Sequence, residues 1–215
     1  MSWSEDSTVL ENATLREKVT ERVHSSGARV AFCHKPGYLR TYACFATNFG
    51  SVDDRYRIGG GEEVVLPDGV AHFLEHKMFE GVEEDAFQQF SRLGASANAF
   101  TGFNGTSYLF SCTDRFYDCL GHLVRFVQSP HFTEENVEKE KGIIGQEIRM
   151  YEDMPGWRVY FNLLEGMYQS HPVSKDIAGT GETIDGITAR LLNRCWEAFY
   201  NPPNMTPSAL GGESN

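Results

Sequence analysis

The chain has 215 residues, 40% of them hydrophobic and 23% charged, the make-up of an ordinary globular domain. That length supports one domain, or at most two small ones, around a core that needs no staples. A formal net charge of -11 repels phosphate backbones and argues against nucleic acid as a partner.

Residues 14–23 read as a short helix or a frayed arm. Residues 29–34 and 38–48 alternate as two strands joined by a turn at Lys35-Pro36-Gly37. Gly59-Gly60-Gly61 marks a mobile loop. Without a following Gly-Lys-Ser/Thr it is not a phosphate loop. Pro67 and Asp68 open a helix that reaches about residue 79, and a second helix over residues 84–93 stops at Gly94. Residues 96–100 and 106–113 form a hairpin across residues 102–105. Asp114 starts an amphipathic helix that ends before Pro130. Thr133 caps a long helix reaching residue 153, with acids in its first turn as the dipole favours. Pro155 breaks it, and further helices cover residues 157–169 and 188–200. Strands come first and helices follow, so the fold class is α+β.

Cys33, Cys44, Cys112, Cys119 and Cys195 contain no C-x-x-C pair, and five cannot all pair within one chain. They read as buried free thiols in a reducing compartment. The polar N-terminus has no signal-peptide apolar region, and no apolar run approaches the roughly 20 residues that span a bilayer. Together these features predict a cytoplasmic protein without a membrane partner. The Asn-x-Thr matches at Asn12, Asn104 and Asn204 are then chance.

The chemistry concentrates in His72-Phe73-Leu74-Glu75-His76. Helix positions i and i+4 share a face, so His72 and His76 can present two imidazole nitrogens to one ion. Glu75 flanks them at about 60–100° around the helix. It is better aimed to take a proton from water than to bind the ion beside both histidines. This is the reversed counterpart of His-Glu-x-x-His. Two imidazoles and one carboxylate are typical ligands of catalytic zinc. In the helix of residues 133–153, Val137, Ile144, Ile148 and Tyr151 form one apolar group, and Ile143 and Met150 form another. Glu140 and Glu147 fall between the two groups. Buried carboxylates need a cation or donors, and a zinc ion held by two histidines meets that need. Glu147 then completes the ligand set, and Glu140, two turns away, orients a ligand. The alternatives are two plain surface histidines and a buried salt bridge from the acids to an arginine such as Arg92 or Arg125.

With Glu140 and Glu147 about seventy residues beyond the His-x-x-Glu-His segment, the chain resembles the pitrilysin/insulinase family of zinc metallopeptidases, in its bacterial insulinase-like branch. Gly94-Ala95-Ser96-Ala97-Asn98-Ala99-Phe100-Thr101 resembles the family's substrate-binding edge strand. Asp176-Ile177-Ala178-Gly179-Thr180 and Asn201-Pro202-Pro203-Asn204-Met205 resemble its later landmarks. The resemblance covers residues 30–205 and corresponds to an N-terminal half. It implies a mixed, mainly antiparallel sheet backed by helices. It implies one Zn2+ on His72, His76 and Glu147, with Glu75 as general base and Glu140 behind the ligands. A peptide substrate would add as a strand at Asn98 and Ala99.

The division that follows is an N-terminal arm over residues 1–27, an unfinished metallopeptidase domain over 28–205, and a flexible tail over 206–215. The tail is turn-rich and shows no strand signal. The expected function is zinc-dependent endopeptidase action on peptides or small unfolded proteins. The rival is a truncated or non-catalytic subunit that keeps the zinc site. The partner implied is a second metallopeptidase half-domain or a further copy of the chain.

Overall fold

The computed structural model describes residues 3–81 and 85–212. Seven strands form one mixed sheet: β1 (Trp3–Asn12), β2 (Glu17–His24), β3 (Arg29–His34), β4 (Thr41–Thr47), β7 (Ser96–Thr101), β8 (Thr106–Cys112) and β9 (Met205–Gly211). Their order is β1-β2-β3-β9-β4-β8-β7. The β3–β9 pair is parallel and every other pair in the sheet is antiparallel. A separate small hairpin joins β5 (Arg55–Tyr56) to β6 (Val64–Val65) around the triple-glycine segment.

The core forms on one face of the sheet because β4 and β8 alternate strictly. Ala43 and Phe45 of β4 point inward opposite Phe110 and Tyr108 of β8. Helices α1 (Val70–Met78), α2 (Ala86–Arg92) and α3 (Phe116–Val127) lie against β4, β7 and β8 on this face. Phe73, Leu74, Tyr108 and Phe110 are all fully buried there. Each such side chain contributes about 2–3 kcal/mol to the fold. The buried Tyr108 hydroxyl finds its partner in Tyr200, 2.7 Å away.

The long helix α4 (Glu134–Glu152) begins at Thr133, whose side chain and that of Asn136 cap it reciprocally. Pro155 then opens α5 (Pro155–Met167), where its missing N–H costs nothing. The short α6 (Gly181–Asp185) follows, and Thr188 caps α7 (Ala189–Phe199). The α+β class and the mainly antiparallel sheet backed by helices are those expected. The helix expected over residues 84–93 is α2, and residue 84 itself lies outside the described residues.

Three expectations are overturned. Residues 206–211, expected as part of a flexible tail, are an inner strand of the sheet, flanked by β3 and β4. The last three residues of that expected tail lie outside the described residues. β9 also separates β3 from β4, so the two strands joined at Lys35-Pro36-Gly37 are not neighbours. The proline tolerated in β9 has a positional reason. Pro207 pairs with Phe45 of β4, while pairing to β3 begins only at Ser208. Likewise residues 14–23 are neither helix nor frayed arm: residues 17–23 belong to β2, which pairs with β1 and β3.

Candidate metal centre

The site is built at one end of the sheet, where α1 passes between β7 and α4. Two glycines let α1 start there. Gly69, its N-cap residue, has φ +89°, and a Cβ would stand 2.4 Å from the Ala178 carbonyl oxygen. Gly179 has φ +74°, and a Cβ would stand 2.5 Å from the Asp68 carbonyl oxygen. The Asp176–Thr180 segment and the helix start therefore pack backbone against backbone. Lys175 reinforces the contact by an ion pair to Asp68 at 2.7 Å.

His72, His76 and Glu147 converge, each offering one donor atom, with the three atoms within 4.8 Å of one another. His72 Nε2 lies 3.8 Å from Glu147 Oε1, and His76 Nε2 lies 3.4 Å from Glu147 Oε2. The imidazole rings stand 4.6 Å apart, inclined at 61°. Zinc–ligand bonds of about 2.1 Å in tetrahedral array put donor atoms about 3.4 Å apart. The residues present therefore fit a zinc ion in both donor chemistry and spacing.

Glu140 sits directly behind His76, with its Oε1 3.0 Å from Nδ1. A proton held at Nδ1 leaves the Nε2 lone pair directed at the site. Glu140 in turn faces Lys77, whose Nζ is 3.8 Å from Oε2. Lys77 is fully buried and also pairs with Glu80. No sequence signal marked Lys77, because its buried partner comes from another helix. The partners of the two acids are thus histidines, a lysine and a tyrosine. Tyr151 donates to Glu147 Oε1 at 2.7 Å and stacks on Trp157 at 4.4 Å. Tyr151 is the fourth residue after Glu147 on α4, a spacing that would have found it.

The flanking stripe is narrower than its sequence pattern. Val137, Ile144 and Ile148 are buried, but Ile143 and Met150, expected as a second apolar group, are about half exposed.

The electrostatics suit a cation. Burial, and then the neighbouring His76, lower the pKa of His72 to about 4. Its imidazole is therefore neutral and available as a ligand at pH 7. Burial also works to lower His76, but the Glu140 hydrogen bond and the carboxylates of Glu147 and Glu75 outweigh it and raise it. Burial raises Glu75, against the opposing hydrogen bond from Thr101. Burial and then the Glu147 bond push Tyr151 up to about 12, so it stays a donor. A cleft of about 520 Å³ opens over this group, with Asn98 and Ala99 of β7 on its wall.

Replacing Glu140 by Gln should weaken zinc affinity by about 10–100-fold without eliminating binding. Competitive chelator titration of both proteins measures it. Unchanged affinity would leave Glu140 a structural acid.

The sequence profile described as "Insulinase (Peptidase family M16)" matches residues 58–181. A Bacillus subtilis (strain 168) protein named "Uncharacterized zinc protease YmfH" is 53% identical over 203 residues, which cover 94% of this chain and 47% of that protein. The chain belongs to the insulinase family, peptidase family M16. A solved structure described as "putative M16-like peptidase from Alicyclobacillus acidocaldarius" superimposes with TM-score 0.89 at 46% identity, over 96% of this chain and 48% of its own. Pitrilysin shares the fold, with TM-score 0.79 at 19% identity, and the likeness covers 99% of this chain and 23% of the pitrilysin chain. The chain therefore spans about half the length of the Bacillus subtilis and Alicyclobacillus acidocaldarius proteins. Among the described residues no helix is long and apolar enough to cross a membrane.

Proposed function

We propose that this chain is the zinc-binding half of a metalloendopeptidase that hydrolyses peptides or small unfolded proteins. The observation that carries the reading is the convergence of His72, His76 and Glu147 within 4.8 Å, with Glu75 on the same helix and an edge strand beside them. His72, His76 and Glu147 hold one Zn2+, and Glu140 fixes the ring of His76. When bound, the ion supplies Lewis acidity that polarises water and the scissile carbonyl. Glu75 takes a proton from the attacking water and passes it to the leaving amine. Its burial raises its affinity for that proton, which suits both tasks. Strand β7 bonds to β8 on one side and forms the edge of the sheet on the other. A substrate peptide adds to that edge near Asn98 and Ala99 through backbone hydrogen bonds, so side-chain sequence matters little.

Relatives of about twice the length suggest that a second half completes the cleft. A peptidase gains much of its rate by holding the substrate still and excluding water. The isolated chain is expected to bind zinc but turn over weakly, and a second half taken from a relative should raise turnover by at least about 10-fold. Peptide cleavage with and without that half, each with a chelator control, tests this. Fast, chelator-sensitive cleavage by the chain alone would show the second half to be dispensable.

A further inference from the structure

We infer that Thr101 is the residue that positions Glu75, tying the general base to the same strand that carries the peptide-binding edge. The inference rests on the peptidase reading only for its catalytic consequence. Its geometric content stands alone.

Thr101 Oγ1 donates a hydrogen bond to Glu75 Oε2 at 2.6 Å, and it is the donor the structure shows for this carboxylate. Its one competing acceptor among the described contacts is Thr106 Oγ1, farther away at 3.2 Å. Thr106 already directs its own proton to the Phe49 carbonyl at 2.8 Å. Toward Thr101, Thr106 can then only accept, and the nearer carboxylate oxygen of Glu75 takes the Thr101 proton. A hydrogen bond to an ionised acceptor is also the stronger of the two.

The mounting is rigid. Thr101, Thr106 and Thr47 are cross-strand partners in one row across β7, β8 and β4. Thr106 and Thr47 are both buried, and Thr47 donates to the Phe199 carbonyl at 2.7 Å. The turn beyond the row closes by Gly102 N–H to the Gly105 carbonyl at 2.9 Å. A Cβ on Gly105 would stand 2.8 Å from the Thr47 carbonyl oxygen, so the turn is pressed onto β4.

The consequence concerns which of two roles Glu75 takes. It neighbours His76 in sequence and shares the cleft with all three metal-binding side chains. A glutamate has three side-chain torsions and, unrestrained, can swing toward a cation in such a cleft. The Thr101 hydroxyl holds one of its oxygens toward β7. Asn98, Ala99 and Thr101 share that strand, so the position of a peptide on the edge and the position of the base are set by one element. Positioning of this kind separates a working site from one that is merely present.

Crystal structures of the Thr101→Val and Thr101→Ser variants read the position of Glu75 directly and need no turnover. The expected result is a displaced Glu75 carboxylate in Thr101→Val and a retained one in Thr101→Ser, with the serine hydroxyl bonded to it. A Glu75 that keeps its place in Thr101→Val overturns the inference. Should Thr101→Val fail to fold, the serine variant decides: a hydroxyl turned away from an unmoved Glu75 overturns it equally. In an active preparation, Thr101→Val should lower kcat by about 10-fold with little change in KM, and Thr101→Ser should restore it to within about threefold. A rise in KM alone would assign Thr101 to the shape of the edge strand and overturn the positioning role. Zinc content separates the two readings. Zinc absent from the unmodified protein sinks the peptidase reading, while zinc bound with Glu75 unmoved in Thr101→Val sinks only this one.

Discussion

Replacing Glu75 by Gln is expected to lower peptide hydrolysis by about 10²–10⁴-fold while leaving zinc bound, the range a single general base contributes. The substitution keeps the size and hydrogen-bonding reach of the side chain, so Thr101 retains a partner. What is lost is the ability to accept a proton. Burial raises the pKa of Glu75, which strengthens it as a base. The three donor atoms that converge belong to His72, His76 and Glu147, and Glu75 is not among them. Activity should therefore fall while zinc stoichiometry stays constant. The assay pairs metal analysis with peptide cleavage in the chain complemented by a second half. Loss of zinc together with loss of activity would make Glu75 a ligand and reassign the base.

The site was far more legible in the sequence than the sheet that carries it, and the reason is physical. Two imidazoles at i and i+4 must share a helix face, so His72 and His76 announce themselves without any tertiary information. Glu140 and Glu147 were visible because carboxylates inside an apolar stripe demand a partner. The strands were harder. Leu15, Val19 and Val23 recur every four residues, which fits a helix turn but is also an even number, as a strand face requires. Tertiary pairing with β3 resolves the ambiguity in favour of β2 for residues 17–23. In β9, Thr206-Pro207-Ser208-Ala209-Leu210 offers small side chains, a proline and no alternation. Nothing local makes it a strand. It becomes one because β3 and β4 present backbone groups on both sides of it. Lys77 and the bond from Thr101 to Glu75 were silent for the same reason, since the partners Glu140 and Glu75 arrive from other elements.

The second large effect is on the metal itself. His72→Ala or Glu147→Ala should each abolish stable zinc binding, lowering affinity by at least about 100-fold. Structural zinc sites gain about 10–16 kcal/mol from four ligands, so one ligand accounts for about 3 kcal/mol. The loss of Glu147 is the more telling of the two. Each of its oxygens faces a different histidine, and Tyr151 holds it in place with a bond of 2.7 Å. Without it the two imidazoles lack the carboxylate that completes the set. Glu140→Gln, which spares all three ligands, should be milder, and that ranking separates a ligand from the residue behind it.

Metal analysis of the gently purified chain, beside Glu147→Ala prepared identically, tests the central claim most directly. About one zinc per chain in the unmodified protein and none in the variant is the predicted result. An unmodified chain that holds no zinc, or a Glu147→Ala variant that holds as much as its parent, would contradict it.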